Sequence, residues 1–269
     1  MKLGFIGGGN MAQALIIGLK SQQFPMQGIT VIELDPTKHA TINQLGVNAS
    51  AELTDIQNSE VIVLAIKPQQ LPALAKTLAP LLRDQLIISI AAGIRLVDLS
   101  RWLGNYSTIV RAMPNTPAQI QAGVTGLYAM PDVSAAQISL ANQVISAAGT
   151  TLWLDSEEKL DAVTAISGSG PAYVFYMIEA LQAAAIDLGL SEVQAKQLSI
   201  ATFKGASLLA HASIMPISTL REQVTSKGGT TEQGLISLND SEVKQAIILA
   251  AQKAYQRAKS LGDELGKDE

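Results

Sequence analysis

The chain has no cysteine and only two histidines, His39 and His211. No disulfide can form, and a metal site would have to be built from histidine and carboxylates alone. Aromatic residues make up 4% and charged residues 16% of the 269. So low a charge density, beside 48% hydrophobic residues, excludes a disordered or fibrous chain and requires a sizeable core. Cationic excess is missing: 19 Lys and Arg stand against 23 Asp and Glu, a net charge of −4. Such a chain exerts no long-range pull on nucleic acid or an anionic membrane. Long apolar runs are missing too, since runs such as residues 61–66 fall far below the ~18 residues a membrane span needs. Residues 3–19 behind Met1-Lys2 have the outline of a secretory leader, but three glycines, Asn10 and Gln13 interrupt it. These absences fit a cytoplasmic protein of one large or two modest domains, at ~150 residues per domain.

What is present alternates two periods. Short apolar runs at residues 3–6, 29–32, 61–66, 86–90, 109–113, 124–129 and 151–154 read as buried strands. Between most of them lie amphipathic stretches of helical length. Met11, Leu15, Ile16 and Leu19 mark one, and Leu71, Leu74, Leu78 and Leu82 a second. Val97, Leu99 and Leu103 mark a third, which Gly104 closes. Strands alternating with helices predict an α/β, Rossmann-like, doubly wound sheet that is mostly parallel. Near Asp155 the character changes to helices without a convincing strand. Residues 171–189 read as one long helix, apolar on most faces, as expected of a helix buried inside a domain or between subunits. Ser191 and Gln194 form a capping box for the next helix, in which Gly205 marks close packing, and residues 241–261 form the last. The expected division is a dinucleotide-binding domain over residues 1–157 and an all-α domain over 158–269.

Gly7-Gly8-Gly9-Asn10-Met11-Ala12 matches G-x-G-x-x-A between a strand and an amphipathic helix, the setting in which that pattern binds a dinucleotide. Gly7 allows the tight turn, bare Gly9 lets a pyrophosphate approach the backbone, and Ala12 lets the helix pack on the strand. The helix amides and positive end then meet the anion. A glycine turn without a ligand is the other reading. Glu33 lies 21 residues beyond Ala12, close to the ~20 at which an acid reads the adenosine ribose. Asp35 before Pro36 reads as a helix N-cap. A carboxylate at position 33 accepts from a ribose 2′-OH and repels a 2′-phosphate, which favours NADH over NADPH.

Four later stretches are unusual. Ala65-Ile66-Lys67-Pro68 ends a strand on the edge where open α/β sheets bind ligands, with Lys67 facing either solvent or cofactor. Ser89-Ile90-Ala91-Ala92-Gly93 ends the next strand with side chains small enough for a flat ring to approach the backbone. Arg111-Ala112-Met113-Pro114-Asn115-Thr116-Pro117 sets two prolines around Asn115, a stiff loop. Ser167-Gly168-Ser169-Gly170-Pro171 and Thr225-Ser226-Lys227-Gly228-Gly229-Thr230-Thr231 each precede a helix, the second with Glu232 in its first turn.

With these motifs in this order, the chain resembles the pyrroline-5-carboxylate reductases from residue 3 to about residue 260. The resemblance is carried by Phe5-Ile6-Gly7-Gly8-Gly9-Asn10-Met11, Val110 to Pro117, Ser167-Gly168-Ser169-Gly170-Pro171-Ala172-Tyr173-Val174-Phe175, and Thr225 to Thr231. It implies a dinucleotide-binding domain followed by a helical substrate-binding domain that dimerises. It also implies reduction of the cyclic imine 1-pyrroline-5-carboxylate to L-proline with NAD(P)H. By the same resemblance Gly7, Gly8, Gly9, Asn10, Met11 and Ala12 hold the pyrophosphate. Ala65, Lys67, Pro68, Ala91, Ala92 and Asn115 lie along the cofactor toward its nicotinamide. The substrate carboxylate sits at Ser226, Gly228, Gly229, Thr230 and Thr231, with Met113, Pro114 and Asn115 also lining the substrate.

Gly228 and Gly229 suit this role, because they expose successive amides to a small anion ahead of a helix N-terminus. Thr231 aligns with the family's threonine proposed to reach the ring nitrogen, and capping the helix is the other role open to Thr230 or Thr231. Hydride attack on a neutral imine would leave a costly nitrogen anion. The site therefore needs an iminium, or a donor at nitrogen, more than a strong acid, and the scarcity of histidine is no objection. Members that prefer NADPH commonly show Asn-Arg-Ser-Pro where this chain has Glu33-Leu34-Asp35-Pro36. An acid replaces the Asn and Leu34 the phosphate-pairing Arg, so NADH is expected to serve at least as well as NADPH. The competing readings are a related imine or 3-hydroxyacid-type reductase, and a nucleotide-sensing protein without turnover.

Overall fold

Eight strands form one sheet in the computed structural model, which describes residues 1–267. They are β1 (Leu3–Ile6), β2 (Ile29–Ile32), β3 (Asn48–Ser50), β4 (Val61–Leu64), β5 (Leu86–Ser89), β6 (Ile109–Met113), β7 (Gly123–Ala129) and β8 (Gly149–Trp153). Their order is β3-β2-β1-β4-β5-β6-β7-β8. The first six are parallel, and β7 pairs antiparallel with β6 and parallel with β8. Each expected strand is present, with ends shifted by at most two residues. β3 has no apolar run and escapes a reading based on one.

Alternation across the pleat sorts the side chains into two cores. Leu3, Phe5, Val61, Val63, Leu86 and Ile88 join one, with α1 (Asn10–Ser21) packed over them through Leu15, Ile16 and Leu19. After α2 (His39–Asn43) come α3 (Leu71–Leu78) and α4 (Leu96–Trp102). Ile6, Ile62, Leu64 and Ile87 join the other core, with Leu71, Leu78 and Leu99 of α3 and α4. Helices on both faces explain why β1, β4 and β5 are buried throughout and read as continuous apolar runs. Next come α5 (Ala135–Ile145) and α6 (Lys159–Val163), which runs into a π-helical turn, Thr164–Gly168.

The remaining helices are α7 (Gly170–Asp187), α8 (Glu192–Ala212), α9 (Ile217–Gln223), α10 (Thr230–Asp240) and α11 (Val243–Leu265). The capping box forms as expected: the Ser191 hydroxyl accepts from the Gln194 amide at 3.3 Å, and Gln194 Oε1 accepts from the Ser191 amide at 3.0 Å. The long apolar helix also forms, yet no residue of α7 is buried, and Tyr176 and Phe175 are 70% and 60% exposed. One chain therefore does not bury it inside a domain. Nothing lies within 4 Å of where a side chain on Gly205 would begin, so one chain does not supply the close packing expected there either.

The chain divides into two compact units, Gly170–Lys253 and a sheet unit of Met1–Ser169 with the chain from Ala254 on. This division differs from the expected 157/158 boundary in two ways. α6 and the π-turn stay with the sheet, because Leu160 and Ala165 are buried and Leu160 and Val163 close on Gly126 of β7. The second half of α11 returns to the sheet unit, so no single cut separates the two. The last residues of the expected second domain, Asp268 and Glu269, lie outside the described residues. Among the described residues, no helix is long and apolar enough to cross a membrane.

Candidate active site

β1 stands where the strand order reverses, between β2 and β4, the point at which open parallel sheets hold ligands. The loop after it is locked to both neighbours: the Gly7 amide donates to the Ile32 carbonyl and the Ala65 amide to the Ile6 carbonyl, each at 2.8 Å. Gly7 has φ +99°, and a side chain there would begin 2.5 Å from the Ala65 carbonyl oxygen. Only glycine fits. At Gly9 the reverse holds, with nothing within 4 Å of where a side chain would begin. Gly9 is also the N-cap of α1, and no side chain caps that helix. The amides of Asn10, Met11 and Ala12 thus have no partner within the helix, while the Ala12 methyl is fully buried in the core. Bare backbone, unpaired amides and a positive helix end fit a pyrophosphate.

Glu33 follows β2 and turns its carboxylate back onto the glycine loop. Oε2 accepts from the Gly8 amide at 3.2 Å and Oε1 from the Asp35 amide at 3.1 Å. The side chain is only 13% exposed. Each oxygen keeps capacity for one more donor, which leaves Glu33 able to take ribose hydroxyls. Asp35 caps the short turn Pro36–Lys38 as expected. Its carboxyl is held below the usual carboxylate range, first by the Thr37 hydroxyl at 2.6 Å and then by the Thr37 amide at 3.0 Å. Lys38 Nζ stands between the acids, 3.6 Å from Glu33 and 3.9 Å from Asp35. His39 turns Nε2 to the Glu33 carbonyl oxygen at 2.6 Å. Leu34, next to Glu33, is 78% exposed.

The loops after β4 and β5 lie on the same edge of the sheet as the glycine loop, since β1, β4 and β5 are adjacent and parallel. Ala65 and Pro68 are half-buried there and Lys67 is exposed; Ala91 is buried and Ala92 half-buried. Asn115 follows β6, but its side chain is engaged within the protein. Nδ2 donates to the Ser167 carbonyl at 3.1 Å, and Oδ1 accepts from the Val124 amide at 2.9 Å. It ties β6, β7 and the π-turn together. Pro114 is buried, and the Met113 terminal methyl lies 2.8 Å from where a side chain on Gly168 would begin. Met113 and Asn115 therefore engage the π-turn rather than standing free.

The helical unit carries the other candidate site. Gly229 is the N-cap of α10, and no side chain caps the helix. Thr230 and Thr231 occupy its first two positions, so neither is the cap. Gly228 has φ +72°, and its amide does not face outward: it donates to Glu232 Oε2 at 2.6 Å, while the Gly229 amide donates to the Ser226 carbonyl at 3.0 Å. The glycines thus shape the turn instead of offering successive free amides. The donors left for an anion are those of Thr230, Thr231 and Glu232, at the positive end of an 11-residue helix. Ser226 is exposed and abuts Gly229, where a side chain would begin 2.5 Å from its hydroxyl.

Two features of the sheet unit were not anticipated. Arg111 is 5% exposed and pairs with Glu157 at 2.8 Å and Asp161 at 3.9 Å. Glu157 also accepts from the Leu96 amide at the start of α4, at 2.8 Å. This cluster ties β6 to α6 and to the start of α4. The second is the π-turn, in which the Ser169 amide donates to the Thr164 carbonyl at 2.8 Å. Such turns recur at functional sites; alternating Ser and Gly at 167–170 was its only trace in the sequence.

Residues 157–261 match the family described as pyrroline-5-carboxylate reductase dimerisation. Residues 2–93 match the one described as NADP oxidoreductase, coenzyme F420-dependent. The chain is 42% identical to the pyrroline-5-carboxylate reductase of Pseudomonas aeruginosa, over 99% of this chain and 98% of that one. It is 38% identical to that of Haemophilus influenzae, over 96% and 97%. Among solved structures, the pyrroline-5-carboxylate reductase from Coxiella burnetii has a TM-score of 0.93 at 38% identity, over 97% of this chain and 98% of that one. The Plasmodium falciparum pyrroline carboxylate reductase, solved with NADP bound, gives 0.87 at 29%, over the same shares.

Proposed function

The chain belongs to the pyrroline-5-carboxylate reductase family, and we propose on that premise that it reduces the C=N bond of 1-pyrroline-5-carboxylate, giving L-proline in proline biosynthesis. The observation that carries the reading is the uncapped N-terminus of α1 with open space at Gly9. Full-length identity of 42% to a named reductase sets aside the more distant imine and 3-hydroxyacid reductases. The reading fails if the protein, given 1-pyrroline-5-carboxylate with NADH or NADPH, neither consumes the reduced nicotinamide nor forms proline.

A bound NAD(P)H supplies the hydride. The amides of Asn10, Met11 and Ala12 hold the pyrophosphate, and Glu33 takes the adenosine ribose. Ala65, Pro68, Ala91 and Ala92 leave room at the strand ends for a flat ring, with Lys67 at the rim. Asn115 acts through the protein, holding the β6 loop in place. The α10 amides of Thr230, Thr231 and Glu232 hold the substrate carboxylate, with Ser226 beside the turn. Hydride addition leaves the ring nitrogen needing a proton, so the substrate reacts as its iminium, protonated from solvent, and the Thr231 hydroxyl donates a hydrogen bond to that nitrogen. Thr231→Val is expected to lower kcat by about tenfold to a hundredfold with little change in KM for the cofactor. Steady-state kinetics check this, and a kcat within about twofold of the parent would assign that hydrogen bond to another donor.

Cofactor choice follows from the end of β2. Glu33 and Asp35 repel a 2′-phosphate, Lys38 offsets only one of their two charges, and Leu34 offers the phosphate no hydrogen bond, so NADH serves at least as well as NADPH. Glu33→Ala with Leu34→Arg removes one acid and adds a planar, bidentate phosphate partner. The kcat/KM ratio is expected to shift toward NADPH by at least about tenfold, ~1.4 kcal/mol. A parent with a strong NADPH preference would contradict the role given to Glu33. A homodimer, or a multiple of dimers, in the cytoplasm completes the reading. The uncovered apolar helices of the second unit support the dimer, and use of a diffusible nicotinamide pool supports the location.

A further inference from the structure

We propose that the end of α11 is a positioning strap for the loop that receives the nicotinamide end of the cofactor, an inference that rests on the dinucleotide reading above. Every contact it uses lies within the sheet unit. Gly93, with φ +76°, closes the segment that leads from β5 into α4. Leu261 and Leu265 press on it: a side chain on Gly93 would begin 3.0 Å from Leu261 and 3.2 Å from Leu265. These leucines are four residues apart and share one helix face.

Two arginines clip the same helix end to α4. Arg95, the N-cap of α4, sets Nη2 2.7 Å from the Asp263 carboxylate and donates to the Lys259 carbonyl at 3.3 Å. Arg101 donates to the Gly266 carbonyl at 2.9 Å, satisfying a carbonyl just past the C-terminus of α11. Close approach needs glycine on the strap. A side chain on Gly262 would begin 3.0 Å from Arg95 Nε, and one on Gly266 would collide with the Asp98 carboxylate.

The segment is therefore held from two sides. Ala91 is buried in the second core, and Leu261 and Leu265 close over Gly93. A flat ring meeting bare backbone gains most from a backbone already fixed, because its ordering is then not charged to binding. The ion pair alone contributes little, since Asp263 is 64% exposed. The leucine contact is what the test addresses.

Leu261→Ala with Leu265→Ala is compared with the parent by titrating NADH and, separately, ADP-ribose, which lacks the nicotinamide. The Kd for NADH is expected to rise about fivefold and that for ADP-ribose to stay within about twofold. Leu265→Ala alone trims the same contact less severely and covers the case in which the double variant fails to fold. It is expected to raise the Kd for NADH about threefold and to leave that for ADP-ribose unchanged. Equal weakening of both ligands would mean general loosening, and no weakening of either would mean no role; both overturn the strap. A parent that binds neither ligand would instead overturn the dinucleotide reading, and the strap with it.

Discussion

Gly9→Val is expected to leave the protein folded and to weaken NADH and NADPH binding by at least about 100-fold, ~2.7 kcal/mol. The separation of the two effects follows from the space around the residue. Nothing lies within 4 Å of where a side chain would begin at Gly9, and its φ of −71° is open to any residue. The valine therefore has open space for its first carbon, and the loss of an N-cap glycine costs no more than about 1 kcal/mol. The valine meets the pyrophosphate, and holds it away from the three amides that would bind it. Gly7→Ala is the control, because its methyl would begin 2.5 Å from the Ala65 carbonyl oxygen at φ +99°. That variant should lose stability as well as binding. Thermal melts beside calorimetric titration distinguish the two. Tight binding by Gly9→Val would remove the dinucleotide from the loop.

Leu181→Asp on α7 is expected to break the oligomer and with it the activity. α7, α9 and α10 contain no buried residue, and α8 contains only Ala195 and Ser199. A unit of Gly170–Lys253 with so little core cannot balance the entropy of ordering its chain. The apolar residues it exposes, Leu181, Leu188 and Leu209 among them, need cover from outside the chain. The match of residues 157–261 to a family described by dimerisation points to a second copy as that cover. Burying a leucine contributes about 1.5–3 kcal/mol, and a two-fold interface counts it twice. An aspartate there must also be desolvated. Together these predict a rise in the dimer dissociation constant of about 1,000-fold or more, ~4 kcal/mol. Light scattering should show the mass of a single chain, with reduced helicity and no turnover. An intact dimer would place the cover elsewhere.

Those two predictions draw on different depths of sequence information. The glycine loop was legible because its requirements are local. A strand of four apolar residues, a glycine at positive φ and a bare N-cap each leave a mark within Leu3 to Ala12. The Ser191–Gln194 box and the stop at Gly104 are local in the same sense. β3 was not legible, because Asn48, Ala49 and Ser50 gain strand geometry only from pairing with β2. The π-turn at Thr164–Gly168 depends on how α6 packs on Gly126, and alternating Ser and Gly at 167–170 is the only mark it leaves in the sequence. Asn115 stood out as chemically odd, yet its partners, Ser167 and Val124, lie 52 and 9 residues away. The resemblance made it a ligand contact, whereas in the fold its side-chain amide ties the π-turn to β7.

The turn proposed for the substrate carboxylate was legible as a turn and not in detail. Two glycines ahead of a threonine-rich helix start mark an exposed helix N-terminus, but which amides face outward depends on Glu232 folding back to the Gly228 amide. The uncovered second unit removes one of the two places expected for α7, burial inside its own domain, and leaves the other, between subunits. An apolar helix reads the same whether its partner is its own chain or another. The return of α11 to Gly93 and α4 joins residues 164 and 165 positions apart, a distance at which periodicity is silent.

A crystal structure of the protein with NADH or NAD⁺ and L-proline tests the central claim most directly. The account predicts the dinucleotide pyrophosphate on the amides of Asn10, Met11 and Ala12, and the proline carboxylate within hydrogen-bond distance of the amides of Thr230 and Thr231. A proline carboxylate bound away from the α10 N-terminus, with that helix start left to solvent, would contradict it.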